Sequence, residues 1–329
     1  MNAGEAVRFD VVVIGGGPGG QKAAVQASKA GKRVLLIDRE SAVGGECVHR
    51  GTIPSKTLRQ CGLNYMHWTQ NFVDRAAGER CELAMATLLR RQCAVTQAHE
   101  RYMSRQMERN SIVIWSGHAS FTGPHELEVK SVDGSRRAVN AEVVVIATGS
   151  RPRTPPNVPV DHENILDSDS ILSLAYLPKS MLVLGAGVIA CEFASVFAAL
   201  GVQVTIVDKG ERPLAFLDSE LTTRFVAEFE KLGGQFLGRR SIGKVEFDGV
   251  SQVELTLDDG AVLRADKLLC ALGRVAQVSG LALDKIGIAV SARGTLDVNE
   301  HCATSAPGVY AVGDVIGPPA LAATSMEQG

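Results

Sequence analysis

Short apolar runs that stop at glycines set the pattern of this chain. Phe9 to Ile14 is almost wholly apolar and runs into Gly15-Gly16-Gly17. Val34 to Ile37 forms a second run, which ends at Asp38, with a breaker-free stretch before Gly31. Runs of this length predict strands buried on both faces, and the stretch between them predicts a helix. The same order returns at Met181 to Leu184, across the following stretch, and at Val202 to Val207 before Asp208. Cys81 to Asn110 is rich in Ala, Leu, Met, Gln, Arg and Glu and lacks Gly and Pro, which predicts one long helix. Ser111 to Val139 alternates apolar and polar positions between turn signals at Gly123-Pro124 and Asp133-Gly134, the pattern of an antiparallel meander. Ala141 to Ile146 predicts another buried strand, followed by Ala147-Thr148-Gly149-Ser150, and the proline-rich 151–159 reads as a linker.

The repetition is metrical. The first copy reads Gly15-x-Gly17-x-x-Gly20 and the second Gly185-x-Gly187-x-x-Ala190. In both, the first glycine precedes the acid by 23 residues (Asp38, Asp208) and the glycine expected to end the helix by 16 (Gly31, Gly201). Each copy is a strand, a tight turn, a helix and a parallel strand, and so a dinucleotide-binding unit. The first glycine permits the turn, and the second lets the backbone approach a pyrophosphate. The small third residue lets the helix pack on the strand. The helix N-terminus offers N–H groups to phosphate, and the acid can accept from ribose hydroxyls. One such motif is weak evidence; two in register are strong. The expected fold is α/β, with two Rossmann-like domains, each a parallel sheet carrying an antiparallel meander.

Composition narrows the partners. The 329 residues carry a net charge of −2, with 21% charged and 45% hydrophobic side chains, so neither nucleic acid nor an anionic membrane is indicated. No early apolar run is long enough for a signal peptide or a membrane span. Seven cysteines (47, 61, 81, 93, 191, 270, 302) show no C-x-x-C and no zinc spacing, and no metal is expected. An odd count without a secretion signal fits a reducing cytoplasm.

The stretch from Gly44 to Lys56, Gly-Gly-Glu-Cys-Val-His-Arg-Gly-Thr-Ile-Pro-Ser-Lys, carries a resemblance. It is similar to the redox loop of the FAD-dependent pyridine nucleotide-disulfide oxidoreductases, in which two cysteines five apart form a disulfide. Here the positions hold Cys47 and Thr52, and threonine carries no redox equivalents. The Thr variant resembles the soluble, Si-specific pyridine nucleotide transhydrogenases within that family, as do Leu214 to Asp218 and Asp167 to Leu172.

The resemblance implies FAD in the N-terminal copy, with Gly15, Gly17, Gly20, Asp38, Arg39, Gly45, Cys47, Lys56, Gly117, Thr148, Gly149 and Asp314 as contacts. Asp314 would hold the ribityl chain. It implies NAD(H) and NADP(H) as substrates of the second copy, at Gly185, Gly187, Val188, Ile189, Glu192, Asp208, Lys209, Arg212 and Gly273. The implied domains are 1–156 and 278–329 for FAD and 157–277 for NAD(P). Lys56, Glu192, Cys47 and Thr52 would surround the reaction. Lys56 could by itself be a solvated lysine, but the matched Glu192 points to a cation held beside the flavin. Cys47 is either a thiol near the flavin or a small packing residue, and Thr52 can serve as a helix-start residue making local hydrogen bonds. His49 receives no catalytic role. An acid such as Asp208 favours the 2′-hydroxyl of NAD, whereas Lys209 and Arg212 can hold a 2′-phosphate or be solvated charges.

The activity implied is ping-pong hydride transfer between NADPH and NAD⁺ through FAD. Two alternatives stand beside it: a dihydrolipoamide-dehydrogenase-like or diaphorase flavoprotein, and an inactive nucleotide-binding fragment. In the family a dimerisation domain follows the segment at which this chain stops. A truncated chain without that interface is therefore the expectation.

Overall fold

The computed structural model describes residues 6–71 and 85–329. By packing, the chain divides into two compact units, one of residues 1–49, 96–151 and 275–329 and one of residues 50–95 and 152–274.

In the first unit, β1 (Val7–Ile14) leads through a glycine turn into α1 (Pro18–Lys29) and on to β2 (Val34–Asp38). The sheet continues with β3 (Val113–Ser116), β4 (His118–Gly123), β5 (Glu126–Lys130), β6 (Arg136–Ile146) and β17 (Val309–Ala311). Its order is β3-β2-β1-β6-β5-β4, with β17 also on β6. Period two sorts the side chains. Val11, Val13, Leu36 and Val145 pack with Ala24 and Val25 of α1, while Val12, Ile14, Leu35, Ile37 and Val144 pack with Phe121, Leu127 and Val129 of the meander. Both faces are covered, as a parallel sheet requires.

Two expectations are corrected in this region. Val113–Ser116 pairs in parallel with β2, so the stretch begun at Ser111 opens with a strand of the main sheet and not with the meander. Four residues, three of them apolar in a row, do not distinguish the two pairings. The meander's last strand and the strand predicted at 141–146 are one element, β6. Its residues 136–140 pair antiparallel with β5 and its residues 144–146 pair parallel with β17. No breaker lies between Arg136 and Ile146, and β1 pairs along 139–146 without a shift.

The second unit repeats the plan. Its parallel sheet has the order β11 (Gln235–Leu237), β10 (Gln203–Val207), β9 (Ser180–Leu184), β15 (Lys267–Cys270), β8 (Ile165–Asp167). One face packs on α5 (Val188–Ala199), through Phe193, Ala194 and Phe197, together with Leu58 of α3 (Thr52–Asn71) and Leu88 of α4 (Met85–Arg109). The other face, Leu182, Leu184, Val207 and Leu268, packs on β12 (Ile242–Phe247), β13 (Val253–Leu257) and β14 (Val262–Ala265) through Val245, Val253 and Leu255. α6 (Ser219–Lys231) is opened by Asp218, whose carboxylate accepts the Glu220 N–H. The short strands β7 (Ser150–Pro152) and β16 (Arg274–Ala276) lie where the chain passes between units, and α7 (Ala322–Gln328) ends it. The long helix expected over 81–110 is present as α4 from Met85, and residues 81–84 lie outside the described residues.

Candidate functional site

The two glycine turns are near-copies in atomic detail. Gly17 and Gly187 each precede the first turn of a helix, at φ −73°, ψ −177° and φ −79°, ψ −175°. Neither helix start has a side-chain cap or an acid in its first turn. The first N–H groups are therefore left for another acceptor, at the positive end of the helix dipole. Gly15 (φ +107°) and Gly185 (φ +97°) adopt backbone that only glycine takes readily, and a Cβ on them would lie 2.3 Å from the Ala147 carbonyl oxygen and 2.6 Å from that of Ala271. A Cβ on Gly187 would meet nothing within 4 Å, and one on Gly17 only the Gly45 Cα at 4.0 Å. The first glycine of each turn is thus demanded by the fold, and the second leaves open space above a helix end.

The acids do more than the sequence suggests. Asp38 Oδ2 accepts the Gly16 N–H at 2.5 Å, and Asp208 Oδ2 accepts the Ala186 N–H at 3.0 Å. The other oxygens accept the N–H groups of Glu40 at 2.9 Å and Gly210 at 2.6 Å. Each carboxylate therefore braces its own glycine turn while keeping lone pairs for a ribose. The Gly117 N–H donates to the Asp38 carbonyl at 2.8 Å, which brings Gly117 to the same strand end. Arg39 pairs with Glu46 at 3.2 Å.

The remaining first-unit candidates gather around this turn or at the foot of β6. The Gly44 N–H donates to the Gly16 carbonyl at 2.9 Å, and a Cβ on Gly45 would lie 2.7 Å from the Gly17 Cα. The close approach seats the one-turn helix α2 (Gly45–His49) against the turn. Cys47 lies inside α2, ahead of the longer helix α3 that Thr52 opens. Two positive-φ glycines, Gly44 and Gly45, allow that extra turn. His49 Nδ1 lies 3.1 Å from Glu100. The Thr148 hydroxyl is buried with no partner among the described residues, and Gly149 follows it at φ +70°. The Ser150 hydroxyl donates to Asp314 at 2.7 Å across a separation of 164 residues, a link no local pattern announces.

In the second unit, Lys56 Nζ forms a short ion pair with Glu192 Oε1, and the Ser55 hydroxyl donates to the same oxygen at 3.2 Å. Glu192 lies one turn into α5, so the glycine turn and Lys56 are tied through one carboxylate. Val188 is exposed at the helix start, and the Gly273 carbonyl accepts the Arg153 N–H at 2.9 Å. Arg212 is occupied: its guanidinium donates to the carbonyls of Leu217 at 2.8 Å and Ala215 at 2.9 Å. Among the described residues no group of three or more His, Cys, Asp or Glu is placed to hold a metal ion, and no helix is long and apolar enough to cross a membrane.

Cys191, behind the second turn, is not a reactive thiol. Burial, with the nearby charge of Asp208, pushes its pKa up to about 12, and its Sγ donates to the Ala186 carbonyl. Burial also raises Cys270. Iodoacetamide at pH 8 is expected to label the exposed Cys93 and to spare Cys191 and Cys270 until the protein unfolds, as read by peptide mapping. Labelling of Cys191 at the rate of Cys93 would overturn that picture.

The paired turns, each with an open second glycine and an acid bracing it, define a protein built to take two dinucleotides. The profile of the pyridine nucleotide-disulphide oxidoreductases matches residues 9–329, and the chain belongs to that family. It is 39% identical to the soluble pyridine nucleotide transhydrogenase of Hahella chejuensis over 322 residues, and 40% identical to that of Yersinia enterocolitica over 321. Each match covers 98% of this chain and 69% of the relative. Among solved structures, LpdA from Mycobacterium tuberculosis superposes with a TM-score of 0.89 at 27% identity, covering 98% of this chain and 71% of that one. The HOCl-induced flavoprotein disulfide reductase RclA from Escherichia coli, in its Cu(II) complex, gives 0.87 at 27% identity, covering 100% and 69%.

Proposed function

We propose that the protein is an FAD-dependent NAD(P)⁺ transhydrogenase, with FAD in the first unit and the nicotinamide nucleotides taking turns in the second. The observation that carries the reading is the duplicated turn: two uncapped helix starts, each beneath an open glycine. Its relatives and its family support the chemistry. Bound FAD would supply a two-electron centre that accepts hydride from one nicotinamide and returns it to another.

The chain's own part is holding and orienting. Gly15 to Gly20, Asp38 and Gly117 would hold the adenosine diphosphate of FAD, and the helix dipole of α1 would balance its pyrophosphate. The buried Thr148 hydroxyl, which lacks a partner within the chain, fits a group that supplies one. Asp314, positioned by Ser150, is the acceptor for the ribityl hydroxyls. Gly185 to Ala190 and Asp208 would hold the nicotinamide nucleotide in the same manner. Lys56, fixed by Glu192 and Ser55, is the cation assigned to the reacting ring, where positive charge favours the reduced state. Thr52 removes the dithiol route, because the loop has no second sulfur to complete a redox disulfide. Cytoplasmic residence fits this reading.

The test is a transfer assay from NADPH to an NAD⁺ analogue on purified yellow protein. Parallel double-reciprocal plots are expected, since the first product leaves before the second substrate enters. Intersecting lines would defeat the two-step scheme. Dihydrolipoamide is expected to give essentially no turnover; robust turnover would favour the dihydrolipoamide-dehydrogenase-like alternative.

A further inference from the structure

The turn after Asp208 is welded to the end of the neighbouring strand. The Asp208 N–H donates to the Leu237 carbonyl at 3.1 Å, the Arg239 N–H to Gly210 at 2.9 Å, and the Arg240 N–H to Asp208 at 3.0 Å. A Cβ on Gly238 would lie 2.8 Å from the Glu211 carbonyl oxygen and 2.9 Å from that of Gly210, so the two segments touch along their backbones. Two arginines distant in sequence are thereby placed at the acid that would read the ribose. Arg239 adopts φ +58°, unusual for a residue with a side chain, and it pairs with Glu211 at 2.5 Å. Both members of that pair are 72% exposed, a setting in which ion pairs contribute little and exchange readily. Arg240 is tied to Asp259, and Arg212 is spent on the carbonyls of its own loop. Lys209 is exposed on the same turn.

We propose that Arg239 and Lys209 form the subsite for the 2′-phosphate of NADP(H), with Glu211 as the counter-ion that the phosphate displaces. The inference rests on the nicotinamide-nucleotide reading of the second unit. It differs from the sequence expectation in removing Arg212 and adding an arginine from the next strand. A guanidinium suits a phosphate because two of its N–H groups can bond parallel oxygens. When NAD(H) binds, Asp208 accepts from the 2′-hydroxyl and the Arg239–Glu211 pair stays closed. Two separate devices at one strand end thus let one site take both nucleotides.

The probes are adenosine 2′,5′-bisphosphate and 5′-AMP, titrated calorimetrically into the full-length chain. The unaltered protein is expected to bind the bisphosphate about tenfold more tightly than 5′-AMP. Arg239→Asn, which tolerates positive φ, is expected to abolish that preference and leave 5′-AMP affinity unchanged, and Lys209→Gln to reduce it. Arg212→Met is expected to weaken both ligands alike. Loss of the preference in Arg212→Met but not in Arg239→Asn would overturn the assignment. Equal affinity for both ligands in the unaltered protein would overturn the subsite and leave the nucleotide reading standing. Failure of both ligands to bind would defeat the nucleotide reading itself.

Discussion

Gly187→Val is expected to give a folded, yellow protein that takes hydride from neither NADH nor NADPH at useful concentrations. The position has ordinary extended backbone, and a Cβ there meets nothing within 4 Å, so the chain itself does not oppose a side chain. What the isopropyl group fills is the open space over the first N–H groups of α5. A dinucleotide's pyrophosphate would need that space. KM for both nucleotides should rise at least about a hundredfold, equivalent to about 2.8 kcal/mol of lost binding. The melting temperature should fall by only a few degrees, since the change at the N-cap costs about 1 kcal/mol. Stopped-flow reduction of the bound flavin against nucleotide concentration checks it. Unchanged KM values would show that nucleotides do not bind over this turn.

The second large effect is the opposite kind. Gly20→Ala is expected to yield a destabilised and largely colourless protein. Its Cβ would fall 1.9 Å from the Gly15 carbonyl oxygen and 3.2 Å from the Ala147 Cβ, so the helix must move away from the strand. Overpacking of this severity costs about 3 kcal/mol or more. The second copy tolerates Ala190 at the same place in the motif, fully buried, so its helix is already set back far enough for a methyl group. The reciprocal change, Ala190→Gly, should therefore cost only the loss of a small buried side chain and some helix propensity, about 1 kcal/mol. Urea unfolding, with flavin absorbance as a second probe, compares the two. Equal destabilisation by Gly20→Ala and Ala190→Gly would contradict the difference in packing between the copies.

The contrast shows what the sequence could and could not convey. The duplicated spacing from glycine to acid made both units legible, because a helix of fixed length between parallel strands forces that spacing. Lys56 and Glu192 were legible as a pair only through the resemblance, and the structure does bring them into contact. Other features depend on tertiary packing. Val113 to Ser116 could not be placed by its pattern, since a four-residue strand pairs either way. The grouping of residues 50–95 with the second unit follows from side chains such as Leu58 and Leu88 joining a core made mostly of later sequence. Arg212 looked available because sequence shows charge and not the carbonyls that bind it. Arg239 is not legible in the sequence, because only the sheet order β10-β11 carries it to Asp208.

The first unit closes on itself around the excursion of 152–274. The Gln277 N–H donates to the Gly149 carbonyl at 2.9 Å, and Ser150 bonds Asp314 just beyond β17. The chain therefore leaves and re-enters this unit at adjoining points, and β17 can join β6 only once an excursion of roughly 120 residues has been looped out. The entropy of closing a loop rises only with the logarithm of its length, so this costs roughly 2 kcal/mol more than closing one a tenth as long. The junction at Gly149 and Gln277 accordingly makes residues 152–274, the larger part of the second unit, an insertion into the first. Its loops can lengthen or shorten at almost constant entropic cost to the sheet that receives its ends, while its core stays tied to residues 50–95 through Leu58 and Leu88.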